Sequence, residues 1–197
     1  GYLGGHYAQD YPLNLNASIS FEQNYGDVEG DSASSTELYC LLSALAEMPL
    51  RQDIAVTGSV NQLGHIQPIG GVTQKIEGFY NTCKSHGLTG TQGVIMPKAN
   101  IPELMLNDEV IEAVEKGDFH LYAIDTVDEG IAILTGKSAE EVHEAVDNRL
   151  RDLARKMEDF GNHKSDDDPE DESEHEAGSS ESESHEQTED SSGEPQA

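Results

Sequence analysis

Residues 53–97 read DIAVTGSVNQLGHIQPIGGVTQKIEGFYNTCKSHGLTGTQGVIMP, and this stretch decides the fold class. The run 53–58 is short, apolar and closed by glycine, the pattern of a strand. Residues 59–71 continue as a second extended segment interrupted by turn residues. From Val72 the period changes. Val72, Ile76, Phe79 and Cys83 recur at helical spacing, and Gly87 ends a helix over 72–86. GVIMP, 93–97, is a short buried strand. Strand, helix and strand in succession make an α/β (α+β) domain.

Upstream, residues 1–14 already read as extended structure, and LNASISF at 15–21 alternates like a strand. A Gly- and Asp-rich loop leads from there into a helix over 34–48. Leu38, Leu41, Leu42 and Leu45 line one face of that helix, while Ser32, Thr36 and Ser43 lie on the other side. Pro49 ends it. Downstream, 102–117 gives one or two short helices, 119–124 a strand and 128–134 a short helix. Ser138 with Glu141 forms a capping-box pattern for a last helix over 139–157, with an apolar stripe of Val142, Val146, Leu150, Leu153 and Met157. There is no internal repeat, and the chain opens without Met, as a fragment of a longer polypeptide would.

Charge divides the chain. The formal net charge is −28, and residues 158–197 alone hold 16 acids against one lysine, a net of −15. That segment has one large apolar side chain, Phe160. It cannot bury enough apolar surface to offset the entropy of ordering, so 159–197 reads as a disordered acidic tail. The expected organisation is a domain over 1–137, a C-terminal helix over 138–158, then this tail. A balance so acidic excludes nucleic-acid binding by this segment, because phosphate contacts need clustered Lys and Arg. No run approaches about 20 apolar residues, so no membrane span is expected. Cys40 and Cys83 form neither a disulfide framework nor a metal pattern, and both read as buried free thiols in a reducing, cytoplasmic setting. His175 and His185 in the tail make no specific metal site.

Two segments carry possible chemistry. Glu29-Gly30-Asp31-Ser32-Ala33-Ser34 is a turn running straight into a helix. A serine there sits at the positive end of the helix dipole, beside unpaired backbone N–H groups, as a nucleophile next to an oxyanion site requires. The same residues could serve simply as an N-cap. In the second segment, 68–75, a double glycine opens a helix and Lys75 follows one turn in. Lys75 borders the apolar stripe, about 40° from Phe79 at 3.6 residues per turn. An amine that loses hydration against apolar walls sheds its proton more readily and can act as a base. A snorkelling surface lysine is the plainer alternative.

Together the two segments resemble the Lon proteases. That family carries a catalytic serine in a Gly-x-Ser-Ala-small element and a catalytic lysine after Pro-Ile-Gly-Gly-x-x-x. Here the matches are Gly30-Asp31-Ser32-Ala33-Ser34 and Pro68-Ile69-Gly70-Gly71-Val72-Thr73-Gln74-Lys75, 43 residues apart from Ser32 to Lys75. Ala55-Val56-Thr57-Gly58 and GVIMP also fit, so the resemblance covers about 15–137. It implies Ser32 as nucleophile, Lys75 as general base, and the backbone N–H groups of Ser32 and Ala33 as oxyanion donors. It also implies that Thr57 helps hold the lysine amine and that Glu29 is a supporting acid. Three positions depart from the family pattern: Asp31 stands for the commoner Pro, Ser34 for Gly, and Ser59 for Glu. They suggest a divergent, LonB-like branch.

The resemblance further implies an ATP-dependent serine endopeptidase that degrades unfolded or damaged protein as a closed homo-hexamer. The chain has no G-x-x-x-x-G-K-[ST] loop, so the ATPase (AAA+) module that the resemblance implies, with its ATP and Mg²⁺, is either upstream or absent. No cofactor or metal is expected in this segment. Three other readings stand beside it: a non-proteolytic Lon-fold oligomerisation or docking module, an ATP-independent Ser-Lys peptidase, and an acidic binding protein acting through its tail. His6 and His65 are the competing candidates for a histidine base.

Overall fold

The computed structural model describes residues 1–21 and 30–165. Its elements are α1 (Tyr2–His6), α2 (Ser34–Ala46), β1 (Ile54–Val56), β2 (Ser59–Val60), β3 (Ile66–Gln67), α3 (Val72–His86), β4 (Gly93–Pro97), a 3₁₀ turn (Lys98–Glu103), α4 (Asp108–Lys116), β5 (His120–Ile124), α5 (Val127–Thr135) and α6 (Ala139–Ser165). β4 is the centre of a three-stranded parallel sheet in the order β1-β4-β5. Ile54 pairs with Gly93 on one side, and Gly93 with His120 on the other. β2 and β3 form a separate antiparallel pair.

Every residue of β4 is buried, which explains why GVIMP is an unbroken apolar run rather than an alternating one. Successive side chains of a strand point to opposite faces. Ile95 therefore joins a core built by Tyr39 and Leu42 of α2, Ile131 of α5, and Val142, Val146 and Leu150 of α6. Val94 and Met96 join the opposite core, with Val72, Ile76 and Tyr80 of α3, Val110 of α4, and Phe119. The result is helices on both faces of a parallel sheet, an α/β architecture as expected.

Helix boundaries follow their capping residues. α3 starts after Gly71 at φ 68° and stops at Gly87 at φ 95°, left-handed positions that suit glycine. The Ser138–Glu141 box is present: Ser138 Oγ accepts from Glu141 N–H at 3.2 Å, and Glu141 Oε2 accepts from Ser138 N–H at 3.1 Å. A second box, Thr126 with Glu129, caps α5.

Four expectations are corrected. Residues 15–21 form no strand; their alternation has no partner strand among the described residues, and Ile19 and Phe21 are exposed. The opening residues are not extended but form α1, whose Tyr2 packs into the core beside Tyr7, just past the helix end. Tyr7 Oη hydrogen-bonds His143 of α6, which in turn meets Asp128 of α5 at 2.9 Å. Cys83 is buried, but Cys40 is exposed, since it follows Tyr39 on α2 and so turns away from the core. α6 continues beyond 157 to Ser165. The acidic stretch 166–197 lies outside the described residues. No helix among those described is long and apolar enough to cross a membrane.

Candidate active site

Ser32 lies in the turn that feeds α2. Gly30 has φ 83°, a left-handed conformation that reverses the chain before the helix. Asp31 carbonyl O then accepts from Ser34 N–H at 3.0 Å, and Ala33 occupies the N-cap. Among the described residues, the backbone N–H groups of Ser32 and Ala33 have no acceptor.

The turn is held against the segment that follows β1. Gly58 N–H donates to Ser32 O at 2.8 Å, and Ser35 N–H donates to Gly58 O at 3.2 Å. The buried Ser35 adds a side-chain bond to the same carbonyl, at 2.8 Å. Space explains glycine at 58: a Cβ there would lie 3.2 Å from Ile66 Cγ2 and 3.4 Å from both Pro97 Cγ and Ser35 Oγ. Thr57 is 8% exposed and continues the β1 ladder, its N–H donating to Ile95 O at 3.0 Å.

Lys75 reaches this seam from the first turn of α3. Its Nζ donates to Ser32 Oγ at 2.8 Å and to Thr57 Oγ1 at 3.3 Å. Thr57 Oγ1 also lies 3.4 Å from Ser32 O. Three residues separated widely in sequence therefore converge on one point, with a hydroxyl and an amine at hydrogen-bond distance. That is the geometry required for an amine to take a proton from a nucleophile.

The position of α3 depends on a residue without an evident sequence signal. Asn100 is fully buried. Its Oδ1 accepts from Ile69 N–H at 3.0 Å, and its Nδ2 donates to Ile69 O at 2.9 Å. One side chain thus pairs with both polar groups of the residue before Gly70-Gly71. Asp31, a possible N-cap by sequence, does not cap α2, where Ala33 holds that position; its carboxylate instead accepts from Ser59 Oγ at 2.7 Å, a pairing with no sequence signal.

Lys75 is exposed in the single chain, so the apolar stripe of α3 does not wall off its amine as expected. The stripe turns into the core instead, while Lys75 leaves it to meet Ser32. Glu29 lies outside the described residues. Neither histidine takes part in the Ser32 contacts described: His6 stacks on Tyr2 at 5.2 Å, and the exposed His65 bridges to Thr126. Among the described residues, no group of three or more His, Cys, Asp or Glu could hold a metal ion.

Comparison with known proteins identifies the family of the chain. The family model described as Lon protease (S16) C-terminal proteolytic domain matches residues 22–137. A putative Lon protease homolog of Escherichia coli is 50% identical over 122 residues, 62% of this chain and 21% of its own length. A putative Lon protease homolog of Haemophilus influenzae is 42% identical over 143 residues, 73% of this chain and 24% of its own length. The archaeal Lon protease of Thermococcus kodakarensis is 37% identical over 126 residues, 63% of this chain and 18% of its own length. The chain thus spans about a quarter or less of the relatives it matches. With a family match across more than half its length, this chain belongs to the Lon protease (S16) family, as a C-terminal proteolytic domain.

Proposed function

We propose that this domain cleaves peptide bonds with Ser32 as nucleophile and Lys75 as general base. The observation that carries the reading is the 2.8 Å contact between Lys75 Nζ and Ser32 Oγ. Neutral Lys75 accepts the Ser32 proton as Oγ attacks the scissile carbonyl. Thr57, 3.3 Å from Nζ, fixes the amine's direction. The backbone N–H groups of Ser32 and Ala33 receive the developing oxyanion. Collapse of the tetrahedral intermediate breaks the C–N bond, and Lys75 passes its proton to the leaving amine. Water then attacks the acyl-enzyme, with Lys75 again as base; the Ser32 Oγ–C bond breaks, the acid product leaves, and Lys75 returns its proton to Oγ. A Ser-Lys pair needs neither histidine nor metal for these steps. A peptide laid across Ser32 covers the exposed Lys75 and excludes water from it.

In the whole protein, the domain acts as the proteolytic part of an ATP-dependent machine in the cytoplasm. An upstream AAA+ module holding ATP and Mg²⁺ feeds it unfolded protein, and the subunits close as a homo-hexamer. The support is the similarity to two putative Lon protease homologs and an archaeal Lon protease, whose own chains are about four or more times longer than the matched region. The test is casein degradation by the full-length protein, with and without ATP, beside Ser32→Ala and Lys75→Ala. ATP-stimulated cleavage lost in both variants is expected. No cleavage by an assembled, ATPase-active wild type would favour a non-proteolytic docking role. Cleavage indifferent to ATP would favour a free-standing Ser-Lys peptidase.

A further inference from the structure

We infer that Asp31 and Ser59 are a positioning pair for the nucleophile, their hydrogen bond holding the turn of Ser32 in line with Lys75. The inference rests on the Ser-Lys reading above. Five contacts tie the segment 57–60 to the turn on the helix side of Ser32 or at Ser32 itself, two of them donated by the hydroxyls of Ser35 (to Gly58 O, 2.8 Å) and Thr57 (to Ser32 O, 3.4 Å) and three by backbone N–H groups. Gly58 N–H binds Ser32 O at 2.8 Å, Gly58 O receives Ser35 N–H at 3.2 Å, and Val60 N–H donates to Ser34 Oγ at 3.0 Å. On the other side of Ser32, among the described residues, the 2.7 Å bond from Ser59 Oγ to Asp31 Oδ2 is the side-chain tie. Ser59 is 4% exposed, so its hydroxyl is a fixed donor rather than one that exchanges freely with water. A hydroxyl donating to a carboxylate is among the stronger neutral-donor hydrogen bonds.

Asp31 and Ser32 are consecutive, about 3.8 Å apart at Cα. Without the Ser59 bond, the Gly30–Asp31 end of the turn keeps, among the described residues, the single bond from Ser34 N–H to Asp31 O at 3.0 Å, so it can swing while the helix end holds its contacts with 57–60. The swing moves Oγ relative to Nζ, and a displacement of about 1 Å at a reacting atom can cost on the order of 100-fold in rate. Asp31, Ser34 and Ser59 all fall on this one seam, two of them bonded to each other and the third to Val60.

The test measures steady-state cleavage of a fluorogenic peptide by the full-length protein and its Ser59→Ala, Asp31→Ala, Asp31→Ala/Ser59→Ala and Asp31→Asn variants. Ser32→Ala and Lys75→Ala run alongside, each with a melting curve. Ser59→Ala and Asp31→Ala are expected to lower kcat by roughly 10- to 100-fold with KM within about twofold, since alignment acts on chemistry rather than on binding. The double variant should be no slower than either single one, because both remove the same bond. Asn keeps an acceptor for Ser59, so Asp31→Asn should stay within about threefold of the parent. If Ser59→Ala does not fold, Asp31→Ala at its exposed position decides with Asp31→Asn. Unchanged kcat in the alanine variants, losses that multiply in the double variant, or a loss confined to KM would each overturn the pair. Residual cleavage by Ser32→Ala or Lys75→Ala would instead overturn the dyad. Dead dyad variants beside a fully active Ser59→Ala would remove the positioning pair alone.

Discussion

Removing Asn100 should unfold the Lys75 side of the site first. Asn100 is 0% exposed and meets Ile69 N–H at 3.0 Å and Ile69 O at 2.9 Å, with Glu103 Oε2 at 3.2 Å as a third partner. Ile69 is itself 9% exposed, so water does not replace the lost partners readily. Asn100→Ala strands a buried N–H and a buried C=O. Each unsatisfied group costs about 1–3 kcal/mol, and the truncated side chain leaves a small void besides. The expected loss is about 3 kcal/mol. For a domain of this size, at roughly 2–4 °C per kcal/mol, Tm should fall by roughly 6–12 °C. Asn100→Asp keeps the acceptor for Ile69 N–H but sets a carboxylate oxygen against Ile69 O and Glu103. It should therefore be no better than alanine. The assay is thermal unfolding by circular dichroism, with peptide cleavage measured well below the transition. Gly70 and Gly71 lie directly between Ile69 and α3, so kcat should fall even where the variant remains folded. A Tm within about 1 °C of the parent for Asn100→Ala would refute the claim that this amide sets the loop.

Other consequences are equally accessible. Tyr39 Oη is buried and has no hydrogen-bond partner among the described residues, so Tyr39→Phe should raise Tm by roughly 2–4 °C, about 1 kcal/mol recovered from an unsatisfied hydroxyl. A Cβ at Gly130 would lie 2.0 Å from that same Oη and 2.6 Å from Tyr39 Cζ, so Gly130→Ala should destabilise by at least about 1–3 kcal/mol despite alanine's better helix propensity; a chemical denaturation midpoint reads it. Lys75→Arg should leave the fold intact and cleavage undetectable, because arginine stays protonated. The Arg51 guanidinium beside Asp53 pulls its carboxyl from 3.8 to about 2. A depressed folded-state value gives stability that is present above 3.8 and lost as pH falls toward about 2. The Tm gap between the parent and Asp53→Asn should therefore close across that window and stay constant above it.

The central βαβ was legible because each of its parts carries its own local signal. GVIMP is apolar throughout as a doubly covered strand must be, and Val72, Ile76 and Cys83 keep a 3.6-residue period between glycines at 71 and 87. Ser32, Lys75 and Thr57 were legible through two spaced motifs and the strand between them. Residues 15–21 show the limit of that approach. Their alternation specifies two faces, whereas a strand also needs a neighbour's backbone, which no local pattern records.

What the sequence determined by itself was the elements from α2 onward, the apolar faces that build two cores, and the candidate residues for chemistry. Tertiary structure decided where those residues meet. It sent Lys75 out of its helix's apolar stripe to Ser32 Oγ, 43 positions away. It gave Asn100 its bidentate hold on Ile69 and joined Asp31 to Ser59. Periodicity reports a residue's own burial, since burial depends on which way a side chain points from its element. A hydrogen bond depends on the distance between two elements, and that distance is fixed only when both faces of the sheet are packed.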